Sequence, residues 1–105
     1  MEVVFRMAEP KDTALLLTFI RALAEYEQML DLVVATEESL HDWLFVKRTA
    51  EAFFVLENEK EVGFALYFHN FSTFLGKAGI YLEDLFVLPE YRGKGCGKAI
   101  LIRLA

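Results

Sequence analysis

The sequence holds one cysteine and two histidines among its 105 residues, and these scarcities exclude several classes of protein. A single cysteine cannot form an internal disulfide, which is typical of a chain that works in a reducing compartment. Two distant histidines without a cysteine cluster do not make a metal site, and we predict none. The N-terminus lacks the features of a secretory signal, and no uninterrupted apolar run approaches the length that crosses a membrane.

Positive charge is also scarce, because 11 Lys and Arg face 16 Asp and Glu and leave a formal net charge of −5. This excess of negative charge does not favour binding to nucleic acid or to an anionic membrane surface. It suits a cationic ligand if the acidic side chains converge. The hydrophobic share of 55%, with ten Phe, predicts a packed core in one globular domain.

The first half of the chain predicts a strand followed by two helices. Residues 2–7 alternate as a strand does, and Asp12 is the predicted N-cap of a helix that runs to about residue 28. Thr36 is the predicted cap of the second helix, with acidic residues in its first turn. The buried stripes predicted from helical spacing are Leu16, Phe19, Ile20 and Leu23 in the first helix and Leu40, Trp43 and Leu44 in the second.

The second half predicts three strands and a final helix. Residues 52–57 and 62–71 are apolar runs joined by a short polar turn, as in a β-hairpin. Residues 70–79 contain turn-forming residues and predict a loop that leads into a strand at residues 81–88. Helix-compatible residues begin at Lys98. The element order is therefore β-α-α-β-β-β-α, and it rests on periodicity alone.

A glycine-rich turn separates the last strand from the last helix. Pro89 ends the strand, and glycines then alternate at Gly93, Gly95 and Gly97. A glycine turn that leads into a helix N-terminus presents several backbone N–H groups to one point, which makes an anion site. A P-loop does not fit, because Arg92 stands where its first glycine belongs, and the dinucleotide fingerprint would place Lys98 at its last glycine.

The pattern that fits is Arg92-x-x-Gly95-x-Gly97, which resembles the acetyl-CoA pyrophosphate loop of the GNAT superfamily of N-acetyltransferases. Preceded by Tyr81-Leu82-Glu83-Asp84 and the strand that follows, the run resembles the spermidine/spermine and thialysine acetyltransferase branch. The resemblance extends along almost the whole chain. It implies an α/β GNAT-type fold with a mixed, mostly antiparallel sheet.

The resemblance also implies roles for particular residues. The backbones of Leu85, Phe86 and Val87 would pair with the pantetheine arm of acetyl-CoA as an added strand does. Glu83 would be catalytic, and it would line the amine pocket together with Tyr26 and Glu27. Arg92 would also bind the cofactor. The residues implied to surround the pyrophosphate are Gly93, Lys94, Gly95, Cys96, Gly97 and Lys98.

The chemistry explains why an acidic pair matters. An amine attacks a thioester only as the neutral base, yet amines in water are mostly protonated at pH 7. Carboxylates can attract the cation and take its proton, and Glu83 is the candidate because its strand runs beside the thioester. Asp84 would point to the opposite face of a regular strand, but the apolar run Leu85–Leu88 hints at a bulge. The competing interpretation is that both acids only solvate a strand.

The sequence ends at Ala105, inside the last predicted helix, whereas family members continue with further strands and the tyrosine usually assigned as general acid. We therefore expect residues 1–105 to be the N-terminal portion of a single GNAT domain, poorly active alone. The implied function is acetyl transfer from acetyl-CoA to a polyamine or a thialysine-like or lysine-like amine by a cytoplasmic homodimer. The alternatives are a non-catalytic CoA-binding or dimerisation module of the same fold, and an enzyme that acetylates protein amines.

Overall fold

Four antiparallel strands form one sheet in the order β1-β2-β3-β4, in a computed structural model that describes residues 3–93 and 95–104. Three helices join them in the predicted element order. Across these described residues no helix is long and apolar enough to cross a membrane. The strands are β1 (Val4–Met7), β2 (Glu51–Glu57), β3 (Lys60–Ser72) and β4 (Lys77–Val87), and the helices are α1 (Thr13–Tyr26), α2 (Glu37–His41) and α3 (Cys96–Leu104).

Each face of the sheet carries its own apolar core. The runs in β2 and β3 are apolar at successive positions because helices cover both faces, so that neighbouring residues are buried on opposite sides. The face covered by α1 and α2, the α1 face, packs Leu16, Phe19, Leu44, Ala52, Phe54, Phe64 and Phe86. The face covered by α3, the α3 face, packs Phe53, Val55, Val62, Ala65, Tyr67, Val87, Cys96 and Ile100.

Helix α1 confirms the predicted stripe, since Leu16 is fully buried and Phe19 nearly so, while Ile20 and Leu23 pack against the same core. Asp12 occupies the N-cap position, but its side chain makes no capping bond to α1. Its carboxylate instead accepts hydrogen bonds from Arg6 of β1 at 2.7 Å and from the backbone N–H of Glu9 at 2.8 Å. Asp12 therefore ties the start of α1 to the first strand.

Helix α2 begins where predicted, at an N-cap Thr36 whose side chain accepts a hydrogen bond from the backbone of Ser39. The prediction that Trp43 is buried is wrong, because its side chain is 51% exposed. A π-helical turn at Asp42–Val46 follows α2 and includes the Lys47 N–H to Asp42 carbonyl bond of 2.8 Å. The wider turn rotates Trp43 away from the core and leaves Leu44 to fill it.

The two hairpins differ from the predicted boundaries. Asn58 and Glu59 both have positive φ, 52° and 65°, which suits the tight turn between β2 and β3. The predicted loop at residues 70–79 is wrong, because Asn70 pairs with Gly79 and Ser72 with Lys77. Strands β3 and β4 thus form one long hairpin, and Phe71, Phe74 and Leu75 at its tip are exposed.

A β-bulge interrupts β4 at Glu83. Leu66 pairs with Asp84 and the next β3 residue, Tyr67, pairs with Leu82, so that Glu83 has no partner in the register. The apolar run at residues 85–88 hinted at a bulge, and the structure has one just before that run, at Glu83. A bulge of this kind resets which side chains face each side of the sheet.

Candidate active site

The glycine turn follows β4 through a short 3-10 turn at Pro89–Tyr91 and leads directly into α3. The helix begins at Cys96, two residues before the predicted start at Lys98. Gly93 and Gly95 have φ of +79° and +89°, which side chains rarely adopt. A Cβ at Gly93, Gly95 or Gly97 would meet nothing within 4 Å, so the backbone faces open space that suits a phosphate group.

The other residues implied to surround the pyrophosphate have different environments. The Cys96 side chain is 2% exposed and belongs to the core on the α3 face, so the thiol does not face the glycine turn's open side. Lys98 is exposed on the first turn of α3. Lys94 lies outside the described residues.

A cavity of about 310 Å³ runs between the end of α1 and the end of β4 and reaches the glycine turn. The structure thus brings together six of the residues implied to bind the cofactor. Tyr26, which the resemblance assigned to the amine pocket, lies in this cleft too. The lining consists of Leu23, Tyr26, Leu85, Phe86, Val87, Arg92, Gly93 and Gly97, and we call it the cofactor cleft.

Strand β4 pairs only with β3 among the described strands, so its other edge is free. The Leu88 N–H donates to the Val62 carbonyl at 2.8 Å, and the Phe86 carbonyl lies 2.5 Å from where a Cβ of Gly63 would stand. Both residues therefore direct backbone groups toward β3. Because backbone groups alternate along an antiparallel strand, those of Leu85 and Val87 point to the free edge. These two, and not Phe86, can pair with a ligand laid along the strand.

A second cavity, of about 180 Å³, adjoins the first, since Leu23 lines both. We call it the carboxylate pocket, because Glu27 and Asp84 line it among mostly apolar side chains. Glu27 is the C-cap residue of α1, and its position is fixed by the left-handed Gln28 that follows, with φ of 59°. The apolar residues of the pocket are Ile20, Leu23, Ala24, Met29, Leu32 and Val33.

Asp84 is the acidic residue whose ionisation the site alters. Burial raises the pKa of its carboxyl, and the nearby negative charges of Glu83 and Glu27 raise it further. Sequence analysis directed Asp84 away from Glu83's site on the assumption of a regular strand. Asp84 shares the α1 face with Phe86, as alternation requires, and the carboxylate pocket lies on this face. Glu83, the bulged residue, is exposed and does not line the pocket. The apolar run after the acidic pair was the signal for a bulge, but it could not locate the extra residue.

No group of three or more His, Cys, Asp or Glu that could hold a metal ion occurs among residues 3–93 and 95–104. The site's acids are a pair and not a ligand set. The two cavities offer a largely apolar cleft that ends in a turn suited to an anion, beside a pocket suited to a cation.

Comparisons with known proteins agree with this arrangement. Residues 17–105 match the family model described as the acetyltransferase (GNAT) family, so the chain belongs to that family. A thialysine N-epsilon-acetyltransferase of Bos taurus is 38% identical over 112 residues, which cover 98% of this chain and 65% of the relative. An L-ornithine N5-acetyltransferase of Arabidopsis thaliana is 29% identical, with 95% of this chain and 64% of the relative covered.

The chain spans slightly less than two thirds of the length of these curated relatives. Among solved structures, an aminoglycoside acetyltransferase from an uncultured soil metagenomic sample superposes with a TM-score of 0.79 at 20% identity, over 99% of this chain and 70% of that one. This likeness supports the fold and confirms the α/β GNAT-type architecture.

Proposed function

We propose that the chain carries the cofactor and amine sites of an acetyl-CoA-dependent N-acetyltransferase that acts on a small amine. The observation that carries the proposal is that Leu23 lines both the cofactor cleft and the carboxylate pocket, so the two cavities are neighbours. A thioester held along β4 would then lie beside an amine held by Glu27 and Asp84. Holding two reactants in this way replaces an encounter in solution.

The cofactor cleft fits acetyl-CoA by the chemistry of its backbone. The free-edge groups of Leu85 and Val87 can pair with the amides of a pantetheine arm, and the open glycine turn can receive the pyrophosphate. Gly93, Gly95 and Gly97 leave the space that any side chain there would fill. Acetyl-CoA, when bound, supplies the activated acetyl group as a thioester.

The carboxylate pocket performs the tasks that the amine requires. Glu27 and Asp84 attract the ammonium form, and the apolar lining strengthens that attraction by excluding water. The amine must then lose a proton before its nitrogen can attack the carbonyl. Asp84, whose raised pKa makes it a better proton acceptor than an ordinary aspartate, is our candidate for this step. Glu83, the earlier candidate, is the alternative acceptor through water.

The substrate class follows from the relatives as a proposal. The thialysine and L-ornithine acetyltransferases act on amino acids with a side-chain amine, and the small carboxylate pocket suits the end of such a chain. Polyamines remain the second class to test. We place the protein in the cytoplasm, because its lone cysteine suits a reducing compartment.

We also propose a homodimer, as the resemblance implies. The β3–β4 hairpin tip supports it, since Phe71, Phe74 and Leu75 are 66%, 99% and 73% exposed and would be covered by a second copy. Light scattering at several concentrations tests this: a mass that stays at one chain throughout contradicts the dimer.

Calorimetry tests the two sites separately. CoA should bind with a saturable isotherm, and thialysine, L-ornithine or spermidine should bind the CoA complex. Glu27→Gln should weaken amine binding without changing CoA affinity, whereas Glu37→Gln, on the exposed start of α2, should change neither. Absence of CoA binding would overturn the proposal. CoA binding without binding of any of the three amines would leave the non-catalytic CoA-binding module.

A further inference from the structure

The Arg92 side chain joins the ends of two other elements. Its Nε donates a hydrogen bond to the Val87 carbonyl at 2.7 Å. Its guanidinium carbon lies 4.3 Å from the centre of the Tyr26 ring and 5.2 Å from that of Phe86. Val87 is the last residue of β4 and Tyr26 the last of α1, so one side chain bridges both ends.

The bridge also stands between two cavities. Tyr26, Phe86 and Arg92 line both the cofactor cleft and a third cavity of about 290 Å³ on the other side, toward Leu88 and Pro89. The Arg92 side chain is therefore part of the lining that the two cavities share.

We propose that Arg92 is a positioning residue that sets the width of the cofactor cleft, and that its side chain is not a phosphate ligand. This inference rests on the proposed function. The guanidinium donates a hydrogen bond to the Val87 carbonyl, which is one of the backbone groups on the free edge of β4. A pantetheine arm therefore pairs with Leu85 and with the N–H of Val87, and it leaves the strand at that point to enter the glycine turn.

The chemistry of arginine explains why this position needs it. A planar guanidinium can stack on an aromatic ring while a nitrogen in its plane donates to a carbonyl. Lysine keeps the charge, but its single ammonium nitrogen cannot stack flat on a ring and donate to a carbonyl at the same time. If Arg92 only supplied positive charge to a phosphate, lysine would substitute well, because lysine binds phosphate as a point charge.

The test compares CoA affinities of Arg92→Lys, Tyr26→Leu and the double variant by calorimetry. We expect each single change to weaken CoA binding by about tenfold, the size of a lost cation–π contact or charged hydrogen bond. The double variant should be little worse than either single one, because both changes remove the same bridge. Arg21→Lys, an exposed arginine on α1, is the matched control and should leave the affinity unchanged.

Salt supplies a second readout. A direct contact between Arg92 and a phosphate would weaken as ionic strength rises, so a variant that lost this contact would lose less CoA affinity at high salt than at low salt. A variant that loses only the bridge should lose the same CoA affinity at both. Undiminished CoA affinity in Arg92→Lys, or losses of affinity that multiply in the double variant, would overturn the inference. In either case, CoA binding by the wild-type chain leaves the proposed function standing. Absence of CoA binding by the wild-type chain would overturn both. Thermal unfolding of each variant identifies a loss of CoA affinity that comes from misfolding. Tyr26→Phe keeps the aromatic ring and should therefore retain the CoA affinity of the wild type.

Discussion

Glu27 and Asp84 line one pocket, although they come from the end of α1 and from the bulged part of β4. The pKa of Asp84 is raised, first by burial and then by the charges of Glu83 and Glu27. The folded protein therefore holds negative charge where a neutral or cationic group would be more stable. Such an arrangement costs stability and is typical of a site that binds a cation.

Replacing Asp84 by asparagine should stabilise the fold at pH 7. A raised pKa means that the folded state binds the proton more tightly than the unfolded state, so the charged carboxylate lowers the free energy of unfolding. The advantage of Asp84→Asn should shrink as the pH falls below the raised pKa and vanish below the usual value of about 3.9. Urea unfolding across this range measures it.

The control for that experiment is Glu37→Gln. Glu37 lies in the first turn of α2, where negative charge is favourable, so its removal should not stabilise the protein at pH 7. An Asp84→Asn variant that is less stable than the wild type at pH 7 would contradict the burial and repulsion assigned to this carboxylate.

Replacing Asp12 by asparagine should have the opposite effect. Arg6 lowers the pKa of the Asp12 carboxyl, so the pair stabilises the fold above the usual aspartate pKa, and this stability is lost as the pH falls toward the lowered value. We expect a loss of about 1–3 kcal/mol at pH 7 for this largely buried partner. Asp42, which pairs with Lys47 at 2.8 Å, has a side chain that is 43% exposed, against 9% for Asp12. Asp42→Asn should therefore cost less than about 1 kcal/mol, and equal losses would contradict the role given to Asp12.

Two glycines with the same backbone strain separate a cofactor effect from a folding effect. Gly95 and Gly76 have φ of +89° and +63°, and a Cβ at either would meet nothing within 4 Å. Alanine should cost about 1 kcal/mol of stability at both positions. Only Gly95→Ala should weaken CoA binding, because its Cβ would fill the space that a phosphate group occupies. Equal CoA affinities in the two variants would mean that the phosphate lies elsewhere.

Gly63 tests the packing that sets the edge of β4. A Cβ there would lie 2.5 Å from the Phe86 carbonyl, so the backbone of β4 would have to move. We expect Gly63→Ala to lose about 1–3 kcal/mol, the usual cost of overpacking, and to weaken CoA binding. At Gly79 the nearest atom is the Asn70 side-chain oxygen at 2.8 Å, which can rotate away. Gly79→Ala should therefore be tolerated, and a larger loss there than at Gly63 would contradict this reasoning.

Sequence analysis predicted the order of the elements and the glycine turn because both depend on local patterns. The stripe from Leu16 to Leu23 and the cap at Thr36 are set by residues close in sequence. The helical spacing could not predict that Trp43 is exposed, because a π-helical turn changes the helical period without a local signal. The pairing of Asn70 with Gly79 overrode the turn propensities between them.

The candidate site also combines features that local sequence predicts with features that only tertiary packing decides. Most residues of the cofactor cleft lie in one motif and were predicted from it, whereas Leu23 and Tyr26 come from α1. That Asp84 and Glu27 line one pocket depends on which face of β4 packs against α1, and this contact joins elements that are distant in sequence. The bridge from Arg92 to Tyr26 likewise joins elements that are distant in sequence, so no local pattern indicates it.

Acetyl transfer itself is the most direct test of the account. The chain is mixed with acetyl-CoA and thialysine, L-ornithine or spermidine, and mass spectrometry follows the gain of one acetyl group. Because residues 1–105 are expected to be poorly active alone, we expect slow transfer to at least one amine, above the uncatalysed rate, and a larger reduction by Asp84→Asn than by Glu83→Gln. Equal rates with and without the protein, at acetyl-CoA concentrations that saturate the cofactor cleft, would contradict the central claim that these two cavities form an acetyltransferase site.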